Sequence, residues 1–352
     1  MQSLKIVHCG IFNEFNDGEF FYGLERKISH GLAQNGHFVY DFSYRDWERN
    51  LRVLKIKNSG LAKMQEKLIK ICKNINADLL LIGKGEKIAT ATLKELKKAL
   101  PNLKIALWYV DHLNEVSQFW ENLREIDCFF YANALNLQKL SKDYKNAKFA
   151  FFPNISDAAF DKFYEREKTN DIIYISRDYK EDNRHKFALM LDEFCRKNGV
   201  KCEIYASLGN GTIFGDEFHK AIAKSKIAIN FNRDDDLECE KSQKLLGASD
   251  RMAQFMGCGV CTFSPVIAGF EKFFTHEKEI VYFKNPSDCF EKIKEYLHDD
   301  KYAKIAKAGR EKAINLANTK RVTKFMIEMI FSEKFSENYE WREYIYQNGE
   351  KI

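Results

Sequence analysis

Short apolar runs recur along the chain, and the stretches between them repeat their apolar residues every three or four positions. In the first half these runs are residues 4–9, 37–42, 78–83, 104–110, 127–132 and 148–152. Continuous apolar runs of this length are typical of parallel strands buried on both faces. The intervening stretches 22–36 and 91–102 predict amphipathic helices, and Asn35-Gly36 is a good helix end. Strands that alternate with such helices predict a doubly wound α/β sheet.

The second half repeats this pattern. Its predicted strands are residues 171–176, 201–206, 226–231, 260–263 and 279–283. Its predicted helices are residues 184–199, 218–226, 249–259, 289–299 and 301–319. The stretch 152–170 has no clear period, so we place the domain junction there. We therefore expect two Rossmann-like domains, residues 1–155 and 156–320, followed by a helical and then aromatic-rich segment, residues 321–352. Because ligands bind outside the carboxyl ends of such strands, the predicted site is a central cleft that the two domains face.

Charge and composition narrow the class of partner. The chain has 352 residues and a formal net charge of +5, which fits an anionic small ligand better than a nucleic-acid groove. Its nine cysteines are scattered singly, which favours a reducing compartment. The N-terminal stretch does not resemble a secretion signal, and no apolar run approaches the roughly 20 residues that span a bilayer. We expect a protein of the cytoplasm, or one bound peripherally at the inner face of the membrane.

Polar residues follow the predicted strands of the first half. Glu14 and Asp17 come after the first strand, where they could face a substrate or form a plain polar loop. Asp111 and His112 follow the fourth strand. A carboxylate beside an imidazole can deprotonate a hydroxyl, one group orienting the other. The alternative is that Asp111 caps a helix that begins near Leu113.

Basic residues follow the first strand of the second half. Arg177, Lys180 and Arg184 surround a helix start, which is an arrangement suited to a diphosphate. The alternative is a solvated charged loop. In the helix at 249–259, Arg251 and Gln254 are three residues apart and share a face, and Asp250 precedes them. That helix could bind phosphate and ribose, or it could be an amphipathic core helix with a surface arginine.

Two patterns that invite a metal interpretation are weak. Asp234 to Asp236 are adjacent and do not point one way, so we expect a solvated loop there. Cys258 and Cys261 have no second pair at zinc spacing, so we interpret them as packed residues. We predict no metal site. The aromatic tail after Lys320 could touch a membrane, although Glu337, Glu340 and Glu343 argue against strong binding to anionic lipid.

A series of motifs runs in a specific order along the chain. In the second half it comprises Arg251, Gly259, Glu279-Ile280-Val281, Ile305-Ala306-Lys307-Ala308-Gly309 and Arg321. In the first half it comprises Gly36-His37, Trp108 with Asp111, and Phe152-Pro153-Asn154. This order resembles group-1 glycosyltransferases, in the branch similar to the spore-maturation glycosyltransferases, and the resemblance covers most of the chain.

The resemblance implies a GT-B architecture, in which two Rossmann-like domains face a central cleft and a C-terminal helix crosses back to the first domain. It implies a nucleotide-sugar donor, held mainly by the C-terminal domain, and an acceptor that faces the N-terminal domain. Neither a metal nor a separate cofactor is implied, because basic groups and helix N-termini neutralise the leaving diphosphate. The implied donor-binding residues are Arg177, Arg184, Asp250, Arg251 and Gln254. Asp111 or His112 would be the base, and Glu14 and Asp17 would face the acceptor.

One residue departs from the family pattern. The family carries glutamate where this chain has Gln254, and an amide accepts through one oxygen where a carboxylate accepts through two.

From the resemblance as a whole, we expect a glycosyltransferase that acts on a hydroxyl of a cell-surface glycan, a lipid-linked glycan or a protein. The alternatives are a nucleotide-sugar epimerase or hydrolase of the same fold, and a non-catalytic binding protein.

Overall fold

The computed structural model describes residues 2–111, 113, 117–180, 182–233, 235–242, 244–332 and 334–352. These residues form two compact units. The first unit combines Met1–Pro153 with Thr319–Ile352, and the second unit is Asn154–Asn318. The predicted boundaries, after residues 155 and 320, lie close to these division points.

Strands in both units follow the apolar runs of the sequence. In chain order they are β1 Lys5–Gly10, β2 Phe38–Ser43, β3 Leu79–Gly83, β4 Lys104–Tyr109, β5 Cys128–Tyr131, β6 Lys148–Phe151, β7 Asn170–Ile175, β8 Cys202–Tyr205, β9 Ser225–Ile229, β10 Cys261–Pro265, β11 Val281–Phe283, β12 Ile345–Gln347 and β13 Glu350–Lys351. The first sheet has the order β13-β12-β6-β5-β4-β3-β1-β2, and the second has the order β11-β10-β9-β7-β8. Strands β1 to β6 pair in parallel, as do β7 to β11, which confirms the two predicted parallel sheets.

Helices occupy the stretches between the strands. In chain order they are α1 Leu24–Gln34, α2 Tyr44–Asn50, α3 Leu61–Ile75, α4 Thr90–Ala99, α5 Ser117–Asn122, α6 Leu137–Asp143, α7 Asn183–Asn198, α8 Gly215–Ala223, α9 Asp250–Cys258, α10 Pro286–His298, α11 Lys301–Ala317 and α12 Thr319–Phe331. The caps agree with the local sequence. Asp182 accepts from the backbone N–H of His185 at the start of α7, and Gly259 ends α9 with a φ of 75°.

Aromatic stacking fills the core of the second unit. The Phe187 ring of α7 stacks on Phe231 at a centroid distance of 4.7 Å and on Phe283 of β11 at 6.0 Å. Cys261 of the same core is buried, and so is Cys258. Both cysteines are therefore packed residues, as the sequence predicted.

Helix α12 packs against α1 within the first unit. The backbone of Gly31 lies so close to α12 that an added Cβ would be 2.2 Å from the carbonyl oxygen of Thr319. The Asn35 side chain donates to the carbonyl oxygen of Lys320 at 2.8 Å. A residue without a side chain is therefore required at position 31 for the helices to approach this closely.

The C-terminal tail corrects one expectation. Its aromatic residues Tyr339, Trp341 and Tyr344 are buried within the first unit, so they are not available to a membrane. The Tyr339 and Trp341 rings pack against Phe325, and the guanidinium of Arg321 lies 5.4 Å from the Tyr339 ring and 5.1 Å from the Trp341 ring, so these contacts hold the segment inward.

The tail ends in a hairpin that we did not predict. Strand β12 pairs antiparallel with β6 and with β13. Asn348 and Gly349 connect β12 to β13 with φ values of 54° and 84°. Positive φ at both positions is the requirement of a type I′ turn, for which Asn-Gly is the preferred pair. The Asn348-Gly349 pair was the sequence signal for this hairpin.

Candidate functional site

The carboxyl edge of the second sheet is built around the first turn of α9. Ser249 precedes the helix and donates from its hydroxyl to Asn230 Oδ1 at 2.7 Å, immediately after β9. Arg251 uses the same anchor, since its Nη2 donates to Asn230 Oδ1 at 3.3 Å and to the carbonyl oxygen of Phe231 at 2.9 Å. The start of α9 is thus tied to the end of the central strand β9.

Arg251 is a partly buried cation that is incompletely paired. Its Nε is buried and has no hydrogen-bond partner among the described residues. Burial lowers the pKa of Arg251 to about 10. The positive charge of Arg184 acts in the same direction, whereas Tyr174, Asp235 and Asp250 oppose it. An anion at this position would therefore reduce the free-energy cost of keeping the Arg251 guanidinium charged.

Arg184 supplies a second buried guanidinium at this edge. It lies in the first turn of α7 and forms an ion pair with Asp182 at 3.2 Å. Arg177 follows β7 and is exposed, as is Lys180. The structure thus brings Arg184 and Arg251 close enough for their charges to interact, at the ends of the adjacent strands β7 and β9.

Asp250 and Gln254 form a pair on α9. The Gln254 side chain is buried, and its Nε2 donates to Asp250 Oδ2 at 2.7 Å. Arg251 instead turns towards β9. The amide therefore serves as the donor in this pair, and a glutamate at position 254 would place two carboxylates on one turn of the helix.

Several polar residues of this edge were missed in the sequence. Asn232 Nδ2 and Ser264 Oγ are buried and, within the described chain, have no hydrogen-bond partner. Asp178 accepts from Ser207, and the ring nitrogen Nδ1 of His185 lies 2.9 Å from its Oδ2. Burial opposes ionisation of Asp178, but these two contacts prevail and lower its pKa. The signal for Asn232 was a polar residue directly after a buried strand, whereas the grouping of Asp178, His185 and Ser207 had no local signal.

The acidic triplet departs from its prediction. Asp234 lies outside the described residues. Asp235 is buried rather than solvated, and its carboxylate pairs with Lys244 Nζ at 2.5 Å and accepts from the Asn232 backbone N–H at 2.6 Å. The solvated-loop expectation was wrong for Asp235, because this carboxylate fastens the segment after β9 to the residues ahead of α9.

The carboxyl edge of the first sheet carries mutually paired charges. Asp111, just after β4, is exposed and accepts from Lys84 Nζ at 2.5 Å. His112 lies outside the described residues. Glu86 accepts from the Tyr44 hydroxyl and from Arg45 Nε at 2.6 Å.

A second paired cluster involves α2. The Oε2 atom of the buried Glu48 carboxylate forms ion pairs with Arg52 Nη2 at 2.6 Å and with Lys87 Nζ at 3.2 Å. The hydrogen bond from Arg52 lowers the pKa of Glu48 to about 2, against the effect of burial. This carboxylate is therefore ionised and neutralised inside the protein.

Glu14 and Asp17 follow β1, and both are exposed. Glu14 accepts from Arg26 at 3.0 Å, and its backbone N–H donates to Asp46 at 2.8 Å. Asp17 has a φ of 47°, which is a turn conformation. The structure thus anchors Glu14 at the sheet edge, while Asp17 lies three residues further along an exposed turn.

A buried polar network reaches this edge from the sheet interior. Trp108 Nε1 donates to His8 Nε2 at 3.1 Å, so Nδ1 of His8 carries the proton and donates to Ser29 Oγ at 2.8 Å. Ser29 in turn donates to Asp41 at 2.6 Å, and Arg26 binds Asp41 at 3.1 Å. Burial, followed by the charge of Arg26, lowers the pKa of His8 to about 3. His8 therefore stays neutral.

The comparisons with known proteins agree on the architecture. Residues 183–328 match the family model described as glycosyl transferase-like. A glycosyltransferase from Rickettsia africae has 12% identity and a TM-score of 0.60, with 94% of this chain and 98% of that chain covered. A sucrose-phosphate synthase from Thermosynechococcus elongatus has 12% identity and a TM-score of 0.61, with coverage of 93% and 98%. The fold is GT-B.

A third GT-B structure was solved with a nucleotide. HepE from Anabaena, in complex with UDP, has 11% identity and a TM-score of 0.57, and the match covers 92% of this chain and 99% of that chain. No curated protein sequence matches this chain significantly. At these identities the structural likeness establishes the GT-B fold, and the chemistry has to be argued from the residues themselves.

Two further findings bear on this GT-B chain. Among the described residues, no three His, Cys, Asp or Glu side chains come together in a way that could hold a metal ion. No helix of the described chain is long and apolar enough to cross a bilayer.

Proposed function

We propose that this protein is a glycosyltransferase that moves a sugar from a nucleoside-diphosphate-sugar donor to a hydroxyl group. Arg251 supports the proposal most directly. Its Nε is buried without a hydrogen-bond partner among the described residues, and the positive charge of Arg184 also acts on it. A diphosphate supplies the missing negative charge and hydrogen-bond acceptors. The glycosyl transferase-like match over residues 183–328 and the UDP complex of HepE support the same chemistry.

We assign the donor-side roles to residues of the second unit. Arg251 and Arg184 stabilise the charge that develops on the leaving diphosphate, with Arg177 at the exposed rim. Neutralisation by arginines makes a metal ion unnecessary for this step, so we propose metal-independent transfer without a separate cofactor. Asp250 and Gln254 accept and donate hydrogen bonds to the ribose or the sugar.

The acceptor-side roles fall on the first unit. Asp111 is exposed at the end of β4 and serves, with His112, as the base that removes the hydroxyl proton. Glu14 and Asp17 contact the acceptor. We propose a glycan, a lipid-linked glycan or a protein as the acceptor, transfer at the cytoplasmic face of a membrane, and a place in the branch similar to the spore-maturation glycosyltransferases.

The first test is thermal stability of the full chain with UDP, GDP, TDP, ADP and CMP and their common sugar conjugates. A ligand at 100 times its dissociation constant adds about 2.7 kcal/mol to the unfolding free energy, which gives a clear melting shift. We expect a shift with one nucleoside diphosphate. The absence of any shift across the panel would count against donor binding and favour a non-catalytic scaffold.

A second measurement separates transfer from the competing activities of the same fold. The chain is incubated with the nucleotide sugar identified by the first test, without an acceptor, and the products are analysed. A transferase leaves the donor largely intact until a hydroxyl acceptor is added. Rapid formation of an epimeric nucleotide sugar, or of free sugar and nucleoside diphosphate, would instead assign an epimerase or a hydrolase.

A further inference from the structure

The loop at residues 51–60 of the first unit, which we call the 51–60 loop, exposes a cluster of large apolar side chains. The side chains of Val53, Leu54 and Ile56 are 51%, 87% and 59% exposed. Scattered apolar residues are normal on a protein surface, but three within four positions form a patch that needs a partner. The loop connects α2 to α3, and its Asn58 contacts Lys87, which follows β3, so the loop lies at the carboxyl edge of the first sheet.

The exposure is built into the loop, because the backbone is held at several points. Ser59 Oγ accepts from the Val53 backbone N–H at 2.9 Å and donates to the carbonyl oxygen of Ile56 at 2.7 Å. Lys87 donates to Asn58 at 3.2 Å. Leu54 has a φ of 50°, in the left-handed region that bulky residues avoid. The protein therefore maintains a conformation that presents apolar side chains to solvent.

The exposed tip of the loop carries positive charge, whereas Arg49 and Arg52 beside it are paired with Asp46 and Glu48. No acidic residue occurs between Glu48 and Glu66. The basic residues in this interval are Arg49, Arg52, Lys55, Lys57 and Lys63. Lys55 and Lys57 are exposed and flank Ile56, so cations alternate with apolar side chains at the tip of the loop. A surface that combines insertion of apolar groups with attraction of negative charge fits a bilayer that contains acidic lipids.

We propose that the 51–60 loop docks this protein on an anionic membrane surface. Leu54 and Ile56 enter the boundary between headgroups and acyl chains, and Lys55 and Lys57 contact the phosphates of acidic lipids. The inference rests on the proposed function for its setting, a transferase that works at a membrane, and it supplies the surface that the buried aromatic tail does not. Vesicle binding is measured without donor or acceptor, so failure of the transfer activity and failure of docking are separate outcomes.

The test is co-sedimentation of the full chain with two kinds of vesicle, one of phosphatidylcholine alone and one of an equimolar mixture with phosphatidylglycerol. We expect strong binding to the mixed vesicles and weak binding to the neutral ones. The double variant Leu54→Ser/Ile56→Ser should weaken binding to the mixed vesicles by roughly tenfold or more. Lys55→Gln/Lys57→Gln should weaken it by roughly fivefold for each charge removed, with little change on neutral vesicles.

A matched control is available in the same unit. Phe38 is 51% exposed at the start of β2, the opposite end of the sheet, and Phe38→Ser should bind vesicles like the parent chain. The melting temperatures of both loop variants should stay near that of the parent, since the altered side chains are exposed. In Leu54→Trp, the indole emission should shift to shorter wavelength on mixed vesicles.

Three results would overturn the proposal. The parent chain could fail to bind mixed vesicles, or the loop variants could bind as well as Phe38→Ser. Alternatively, light scattering could show that the parent dimerises in solution and that Leu54→Ser/Ile56→Ser is monomeric, without any vesicle binding by the parent. That last result would assign the patch to a second copy of the chain.

Discussion

The carboxyl edges of the two sheets differ in how their charges are satisfied. In the first unit, Glu48 is neutralised by Arg52 and Lys87, and Asp111 is paired with Lys84. In the second unit, the Nε of Arg251 is buried without a hydrogen-bond partner among the described residues, and the charge of Arg184 disfavours the charged form of Arg251. The carboxylates of Glu48 and Asp111 at the first edge therefore already have cationic partners, whereas Arg251 at the second edge keeps a donor free to bind an anion.

This difference matches the two substrates of the proposed reaction. A nucleoside-diphosphate sugar brings negative charge, and a buried guanidinium in a low-dielectric site binds that charge strongly. A hydroxyl acceptor is neutral and gains nothing from excess charge, so paired carboxylates and cations are a suitable lining for it. Variants at the two edges test this difference, and the largest effect is expected at Arg251.

Arg251→Ala should remove most of the affinity for the donor nucleotide. Two charge-assisted hydrogen bonds of about 2 kcal/mol each amount to roughly a 1,000-fold loss. Isothermal titration calorimetry with the nucleotide that shifts the melting temperature measures this directly. The control is Arg196→Ala, an exposed arginine near the end of α7, which should bind like the parent. Unchanged affinity in a folded Arg251→Ala protein would break the contrast between the two edges.

His8→Gln should remove a pH dependence of stability that originates inside the first unit. The folded pKa of His8 is about 3, below its ordinary value of 6.5, so the unfolded chain binds this proton first. The contribution of neutral His8 to the free energy of unfolding is present above pH 6.5 and is lost as the pH falls. The loss is about 1.4 kcal/mol for each pH unit between about pH 6 and pH 4. Urea unfolding at a series of pH values measures this slope.

Glutamine is the matched replacement at this position. Its side-chain oxygen can accept from Trp108 and its amide can donate to Ser29, so the variant keeps both hydrogen bonds of His8 without a titrating group. The unfolding free energy of the variant should therefore depend less steeply on pH, by the amount that corresponds to one bound proton. Equal slopes in the two proteins would show that His8 is accessible to protons in the folded state, contrary to a closed network.

The pattern of the sequence was sufficient to predict the two sheets. Most predicted strands are short runs of apolar residues that become buried, as 78–83 becomes β3, whereas the edge strands β2 and β8 are only partly buried. The hairpin of β12 and β13 was missed because its strands are short and lie at a sheet edge, so their burial pattern is weak. Its one strong signal was the turn, Asn348-Gly349.

Site residues could be predicted from the sequence where they follow a strand or share one face of a predicted helix. Arg177 and Asp111 follow buried strands, and the predicted sites lie at those strand ends. The pairing of Asp235 with Lys244, nine residues apart, depends on a loop path that no local pattern specifies. The same is true of Asp178 with Ser207, which joins the ends of the two strands β7 and β8.

Glu48→Gln should destabilise the first unit at neutral pH and have no effect in strong acid. The folded pKa of Glu48 is about 2, below its ordinary value of 4.5, because Arg52 donates to the carboxylate. Its contribution is present above pH 4.5 and is lost as pH falls towards 2. We expect a loss of about 1 to 3 kcal/mol at pH 7. A constant difference between variant and parent from pH 7 to pH 3, measured by urea unfolding, would contradict ionic neutralisation at this edge.

The Lys84–Asp111 pair should show the smallest coupling. Asp111 is 56% exposed on its side chain, so water screens the pair despite a distance of 2.5 Å. A double-mutant cycle with Lys84→Met and Asp111→Asn should give a coupling of about 0.5 kcal/mol, lower still at high salt. Unfolding of the parent, the two single variants and the double variant measures it. A coupling above about 2 kcal/mol would make Asp111 a structural partner of Lys84. A weak coupling leaves its carboxylate available to the acceptor hydroxyl, as the proposed reaction requires.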